Sequence, residues 1–130
     1  MIYTFYDPIT GKIKFTYSGI EIEAMAALHD TLLYVSGDYT ENSYYILNGE
    51  VLLRQNQSIL LDKTTIIADG IDTVTISNMA SGIISISNGI DHVTGEVTGT
   101  ETFSTNIVGT YYINISSFPY LLFKTSIEAI

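Results

Sequence analysis

The sequence predicts a mainly β protein made of two parts, and three observations support this prediction. Most of the chain consists of short segments in which β-branched and aromatic residues alternate with polar ones, the pattern of half-buried strands. Turn dipeptides such as Asn48-Gly49 and Asp69-Gly70 separate these segments. Only residues 21–29 show helical spacing. We therefore expect a mixed unit over residues 1–57 and an all-β unit over residues 58–130.

The first part combines β-hairpins with one short helix. IYTFY and IKFTYS flank a DPITGK turn, in which Pro8 suits the first turn position and Gly11 accepts a positive φ. Residues 21–29 place apolar side chains near helical spacing after two early glutamates, which suit a helix N-terminus. An Asn-Gly pair between SYYIL and EVLLR indicates a type I′ hairpin. These elements predict a small ββαββ-like unit or a looser set of hairpins.

The second part has the rhythm of a β-sandwich. Alternating segments follow one another at intervals of about 8–12 residues, and helix formers are nearly absent. Turns are predicted at Asn78 with Ser81-Gly82 and at Asn88-Gly89, among other places. Seven short strands of this kind support an immunoglobulin-like β-sandwich, and a small barrel would share the pattern. These strands are expected within six segments, SILLDKTTIIA, DTVTISNM, GIISISNG, VTGEVTGTETFST, GTYYINIS and LLFKTSIEAI.

Composition and charge exclude several classes of function. The 130 residues are 46% hydrophobic, which allows a packed core, and contain no cysteine for disulfides or thiolate metal sites. The 14 acidic residues against 5 Lys and Arg give a net charge of −9, which repels phosphate backbones, so no nucleic acid partner is expected. No apolar run is long enough to span a bilayer, and the N-terminus shows no signal peptide. The sequence predicts a soluble chain without a membrane partner.

The ADGID stretch is the strongest candidate for chemistry. Asp69 and Asp72, with Asp62 or Asp91, would supply oxygen ligands suited to calcium, or an acid pair. The spacing does not match an EF-hand loop, and Asp-Gly is a common way to turn the chain. We therefore predict a corner between two strands and no metal ligand.

Neither histidine predicts catalysis. His29 lies at the end of the predicted helix, where it complements the helix dipole, and His92 lies in a turn-rich stretch. No nucleophile motif occurs, and the serines have no base near them in the sequence. The sequence predicts no catalytic residue and no cofactor, and a protein that is not an enzyme.

Aromatic and apolar residues indicate an interaction surface instead. Side chains alternate along a strand, so each pair of adjacent tyrosines places one ring in the core and its neighbour at the surface or in an interface. The apolar stretch around Pro119 is too continuous for a strand with one solvated face, which favours interdomain or intersubunit packing. The predicted interface residues are Tyr44, Tyr45, Tyr111, Tyr112, Phe118, Tyr120, Leu122 and Phe123.

Two stretches of the second part resemble known domains. LDKTTIIADGIDTVTISNM resembles the opening of bacterial and phage immunoglobulin-like domains, and VGTYYINISSFPY resembles their late strand. In the first part, FYDPITGKI and YYILNGEVLLRQNQSILLDK resemble small phage proteins encoded beside tail or tail-fibre genes, although RQNQS lacks their usual proline.

The resemblance implies a structural protein of a tailed-phage virion, associated with the tail or tail fibre. Residues 1–57 would dock, and residues 58–130 would project as an immunoglobulin-like domain. The implied partners are tail, fibre or capsid subunits. The protein itself would form a homo-oligomer or a symmetric array on the particle. Capsid decoration, a head fibre, or a module that binds a host-surface glycan or receptor are alternatives.

Overall fold

The computed structural model describes all 130 residues and confirms a mainly β protein with eleven strands and one helix. Contacts divide the chain into two compact units, Met1–Gln55 and Asn56–Ile130. The first unit contains β1 (Ile2–Tyr6), β2 (Ile13–Ser18), α1 (Ile22–Leu28), β3 (Leu33–Ser36), β4 (Tyr44–Leu47) and β5 (Glu50–Leu53). The second contains β6 (Leu60–Leu61), β7 (Thr65–Ile66), β8 (Val74–Ser87), β9 (His92–Phe103), β10 (Gly109–Ser116) and β11 (Phe123–Ala129).

The first unit is a set of hairpins rather than one ββαββ sheet. It has a three-stranded antiparallel sheet in the order β2-β1-β3 and a separate β4–β5 hairpin. The predicted first hairpin and the helix are both present, the helix spanning Ile22–Leu28. Asn48 and Gly49 have φ values of 51° and 77°, as a type I′ turn requires. Tyr6 and Ile46 pack with Ile13 in a small core of their own.

The second unit is a β-sandwich, because its sheet folds back on itself. The strands follow the path β6-β8-β10-β11-β7, and β9 pairs with β8 outside this path. Strands β6 and β7 stand at opposite ends of the path, yet only residues 62–64 separate them. In a flat sheet, β6 and β7 would lie four inter-strand spacings apart, or about 19 Å. The segment of residues 62–64 that joins them can span about 14 Å at most. The two ends therefore meet, with the core between them.

Strand β8 bends at its middle and returns towards the end from which it started. Val74, the first residue of β8, pairs with Phe103, the last residue of β9. The ring of Phe103 lies 5.1 Å from the ring of Tyr111, near the start of β10. The last residue of β8, Ser87, pairs with Tyr112. Between them, the carbonyl of Ser81 accepts a 2.6 Å hydrogen bond from Ser117, just beyond the other end of β10. The two halves of β8 therefore pair with different strands on the two sides of the core.

The turn predicted at Asn78 with Ser81-Gly82 is wrong, because these residues bend a continuous strand. The register between β8 and β9 shifts between Ile76 and Met79 and again between Met79 and Gly82. Asn78 takes a positive φ of 63° within the strand. The two strands predicted there form one 14-residue strand.

The single strand predicted in SILLDKTTIIA is also wrong. It is divided into β6, which pairs with β8, and β7, which pairs in parallel with β11. Asp62 marks the break, since its carboxylate accepts a 2.7 Å hydrogen bond from the N–H of Thr75. Because the two strands predicted around Asn78 are joined into β8, the second unit has six strands rather than the predicted seven.

Alternation along β10 builds the centre of the sandwich. Tyr111, Ile113 and Ile115 are buried, while Tyr112 and Asn114 point to solvent. Burying an isoleucine side chain contributes about 1.5–3 kcal/mol, so Ile113 and Ile115 each stabilise the unit substantially. The rest of the core comes from Ile59, Ile66, Val74, Ile76, Met79, Val97, Ile127 and Ala129.

Tyr111 makes a contact similar to the tyrosine corner of immunoglobulin-like sandwiches, because its hydroxyl bonds to the backbone a few residues upstream. Its hydroxyl donates to the carbonyl of Ile107 at 2.9 Å and lies 2.8 Å from the hydroxyl of Thr105. These bonds fasten the loop before β10 to the core.

Replacing Tyr111 by phenylalanine is expected to destabilise the sandwich by about 1–2 kcal/mol, because the partly buried carbonyl of Ile107 loses its donor. Urea denaturation of the full chain measures this change. Tyr112→Phe is the matched control, since its ring is 57% exposed, and we expect no measurable effect. Equal effects of the two substitutions would contradict a corner role.

Candidate functional site

The predicted interface residues fall in three separate places. Tyr44 and Tyr45 lie in β4 and are both half-buried, so the expected division into one core ring and one surface ring does not hold there. The ring of Tyr44 packs edge-on against Tyr39 at 5.3 Å. That division does hold for Tyr111, which is a core residue, and for its exposed neighbour Tyr112.

The apolar stretch around Pro119 forms the turn between β10 and β11, in agreement with the turn that Phe118-Pro119 marks in the sequence. The N–H of Tyr120 donates to the carbonyl of Ser117 at 2.8 Å, and the Phe118–Pro119 peptide bond is cis. Gln57 braces the turn by donating to the carbonyls of Ile115 and Leu121, at 2.9 and 3.0 Å.

Within that stretch, exposure differs from residue to residue. Tyr120 and Leu122 are exposed, Phe118 is half-buried, and Phe123 packs against the core. Tyr120 and Leu122 are therefore the predicted interface residues of this stretch with the largest exposed surface.

His29 lies at the end of the helix, as the sequence predicts, whereas His92 does not lie in a loop. His29 follows α1, and its ring packs at 4.8 Å from Phe15 and 6.2 Å from Phe5. His92 begins β9 rather than lying in a loop, and its Nε2 is 3.0 Å from the hydroxyl of Ser85. The expectation that no serine has a base nearby is therefore wrong for Ser85. The pair is exposed and His92 makes no hydrogen bond to a carboxylate, so the orienting acid of a catalytic triad is not in place.

The ADGID carboxylates organise a corner, as the sequence predicts. One oxygen of Asp69 accepts the N–H groups of Ile71 and Asp72, each at 2.8 Å. Asp72 pairs with Lys63 at 2.6 Å and accepts the N–H of Ile67 at 2.8 Å. The backbone N–H groups lower the pKa of Asp69, and the Lys63 hydrogen bond followed by the Ile67 N–H lowers the pKa of Asp72. Both carboxylates are therefore protonated at a lower pH than an aspartate without these hydrogen bonds. No group of three or more His, Asp or Glu side chains is placed to hold a metal ion.

A second loop repeats this corner. Asn88, Gly89, Ile90 and Asp91 follow β8, and the side-chain oxygen of Asn88 accepts the N–H groups of Ile90 and Asp91 at 2.9 and 2.7 Å. Each corner has the sequence Asp/Asn-Gly-Ile-Asp. In each, the polar first residue holds the backbone while the isoleucine points into solvent, with Ile71 81% and Ile90 91% exposed.

Both corners lie at one end of the sandwich together with the loop before β10. The N–H of Gly70 donates to the carbonyl of Thr105 at 3.0 Å, and the N–H of Ala68 donates to the carbonyl of Ile130 at 2.9 Å. The second corner belongs to the same end, because β8 terminates beside Tyr112, near the start of β10. The exposed aliphatic residues here, which we name the apolar loop end, are Ile67, Ile71, Ile90, Ile107, Val108 and Ile130.

Sequence analysis did not identify the apolar loop end, although a signal was present. Turns favour polar residues, glycine and proline, because their backbone groups face water. An isoleucine in ADGID, in SNGID and in TNIVG breaks that preference three times. The same turn chemistry recurs in the first unit, where Asp7 accepts the N–H of Ile9 at 2.8 Å and Ile9 is exposed.

The outer face of the sandwich around Tyr112 has a different chemistry. Tyr112 lies between Ser87 on one side and Ser126 on the other, and His92 continues the row beyond Ser87. Asn114 lies one row further along, opposite Ser85 and Lys124. This face offers one exposed aromatic ring among hydroxyl, amide and imidazole groups.

No helix of the protein is long and apolar enough to cross a membrane. No protein-family model matches the chain, and no curated protein matches it in sequence.

Among solved structures, the chain is similar to two crystal structures of glycosyl hydrolase family 2 members from Bacteroides cellulosilyticus, the second from DSM 14838. The first match has 12% identity and a TM-score of 0.37, covering 99% of this chain and 21% of the other. The second has 12% identity and a TM-score of 0.35, covering 97% and 22%. The chain thus spans about a fifth of the length of those proteins. At these TM-scores the similarity establishes neither a family nor a function.

Proposed function

We propose that the protein is a structural component of a tailed-phage virion, associated with the tail or tail fibre, which docks through its first unit and projects the sandwich so that the apolar loop end contacts a neighbouring virion subunit. The observation that supports this proposal most directly is the apolar loop end, with its two rigid corners that hold isoleucines in solvent. The resemblance of FYDPITGKI and of the ADGID region to phage proteins supports the same class. Capsid decoration or a head fibre is the alternative position on the particle.

The corners suit contact with another protein. An exposed aliphatic side chain gains about 1.5–3 kcal/mol when a partner buries it. Side-chain hydrogen bonds already fix the backbone of both corners, so less conformational entropy is lost on association. No catalytic residue, metal or cofactor is part of this proposal.

The test compares purified particles that contain the wild-type chain with particles that contain Ile71→Lys and Ile90→Lys together. Mass spectrometry should find the wild-type protein in stoichiometric copy number, and a cryo-EM map should place the apolar loop end against a neighbouring subunit. Losing two buried aliphatic contacts should reduce incorporation by about 100-fold. Asn114→Lys, an exposed residue on the outer face, is the control and should be incorporated normally. Particles that lack the wild-type protein would refute the proposal.

A host-surface glycan or receptor module is the second candidate, favoured by the polar outer face around Tyr112. A tyrosine ring stacks on the apolar face of a sugar, while neighbouring hydroxyl and amide groups bind its hydroxyls. A glycan array probed with the full chain distinguishes the two functions. Binding that Tyr112→Ala abolishes would establish this candidate, and a blank array at high protein concentration would remove it.

A further inference from the structure

Strand β9 is an unprotected edge of the sandwich. It is 12 residues long and pairs only with β8, and the turn and loop backbone hydrogen bonds do not involve it. All of its residues except Val97 and Phe103 are exposed. Free edges are usually blocked by lysine, proline or shortening, because their unpaired N–H and C=O groups recruit other strands. Strand β9 contains no lysine and no proline.

The inner side of this edge is uncovered. Val93 and Gly95 pair with Ile86 and Ile84, which both pack on the core, so the four residues face the interior side of the sheet. Nevertheless Val93 is 68% exposed. A Cβ atom built on Gly95 would meet nothing within 4 Å. The sandwich therefore leaves room for one more strand beside the first half of β9.

A cavity opens at the same place. It has a volume of about 150 Å³ and is lined by Ile86, Asn88, Asp91, Val93, Phe103 and Tyr111. A mostly apolar space of this size accepts an aliphatic or aromatic side chain. A strand added along β9 would direct alternate side chains towards it.

Charge selects the kind of strand that fits. Glu96 and Glu101 lie on the edge and Asp91 on the cavity rim, whereas neither β8 nor β9 contains a lysine or arginine. A second copy would bring the same carboxylates and a net charge of −9 against them. A segment with cationic side chains on its outward face would instead neutralise Glu96.

We propose that residues 92–97 of β9 accept an extended segment of a partner protein by strand addition. The segment alternates apolar side chains, which cover Val93 and Gly95 and enter the cavity, with basic side chains beside Glu96. Backbone hydrogen bonds supply affinity, while the cavity and Glu96 supply specificity. The cavity adjoins the second corner through Asn88 and Asp91, whereas the edge residues 92–97 lie outside the apolar loop end. The inference does not depend on the virion role.

The experiment measures binding of a fluorescent peptide of alternating valine and lysine to the full chain by anisotropy. A matched peptide of alternating valine and glutamate should bind at least about tenfold more weakly. Gly95→Lys places a charge on the inner side of the edge and should weaken valine-lysine binding by at least about tenfold. Thr94→Lys adds the same charge on the outer face. The Thr94→Lys variant should bind the valine-lysine peptide more tightly than the Gly95→Lys variant does.

Equal losses in the two variants would reveal non-specific charge attraction and overturn the proposal, as would the absence of binding to the wild type. Hydrogen exchange on the wild-type protein gives a second readout that does not require the variants to fold. Peptide binding should protect the amides of residues 92–97, and unchanged exchange there would also overturn the proposal.

Discussion

Replacing Ile113 by alanine is expected to lower the free energy of unfolding of the sandwich by about 2–5 kcal/mol. Ile113 is fully buried at the centre of β10, between its neighbours Ile86 on β8 and Thr125 on β11. Its removal leaves a cavity that strands from both sides of the core cannot close without breaking ladder hydrogen bonds. A loss of this size is a large fraction of the stability of an ordinary small domain.

The control for this substitution is the next residue along the strand. Asn114 also lies between β8 and β11, but its side chain points to solvent. Asn114→Ala should therefore change the free energy of unfolding by about 0.5 kcal/mol or less. Urea denaturation, with amide exchange of β10 and β11 followed separately, assigns the change to the sandwich. If Ile113→Ala lost no more stability than Asn114→Ala, the packing described for β10 would be incorrect.

Features set by local chemistry could be predicted from the sequence. The Asn48-Gly49 hairpin follows from two residues that tolerate positive φ, and the Asp69-Gly70 corner follows from an aspartate that bonds its own backbone. Alternation in GTYYINIS places Tyr111 inside and Tyr112 outside. The mainly β class needs only such local signals, added along the chain.

Features set by distant pairing could not be predicted in this way. Asn78 and Gly82 carry the same turn chemistry whether the chain reverses or a strand bends. Whether β8 turns or continues depends on whether β9 can pair with it on both sides of the register shifts. The separation of β6 from β7 likewise depends on their pairing with β8 and β11. No local pattern contains that information.

The candidate site was predicted least well, for a related reason. Ile71, Ile90 and Ile107 come from three loops far apart in the sequence, and only the return of β8 brings the second loop to the same end as the others. Long aromatic runs such as the one around Pro119 attract attention, whereas single isoleucines in polar turns do not. An apolar residue at the third position of an Asp/Asn-Gly turn is a better indicator of an exposed contact here, because the turn cannot bury it.

Replacing Gly82 by alanine is expected to destabilise the sandwich by about 1–3 kcal/mol. Gly82 lies where β8 bends, and a Cβ atom there would press on the carbonyl oxygen of Ser116 and come within 3.0 Å of the Cβ of Ser117. Both obstacles belong to the end of β10 and its following turn, so relief requires β8 and β10 to move apart. That movement would also strain the 2.6 Å hydrogen bond from Ser117 to the carbonyl of Ser81. The lower chain entropy of alanine in the unfolded state offsets only about 0.4–1 kcal/mol of this cost.

Gly95→Ala is the control for Gly82→Ala. It measures the effect on stability of adding a methyl group to a strand glycine where no atom packs closely. Gly95 lies in β9, and its Cβ would meet no atom within 4 Å, so the substitution should be neutral or slightly stabilising. Thermal and urea denaturation of the two variants measure the difference directly. A neutral Gly82→Ala would mean that β8 and β10 do not approach each other closely at the bend. The close packing of the bend in β8 against the end of β10 would then be incorrect, because Gly82 is the residue of the bend that contacts Ser116 and Ser117.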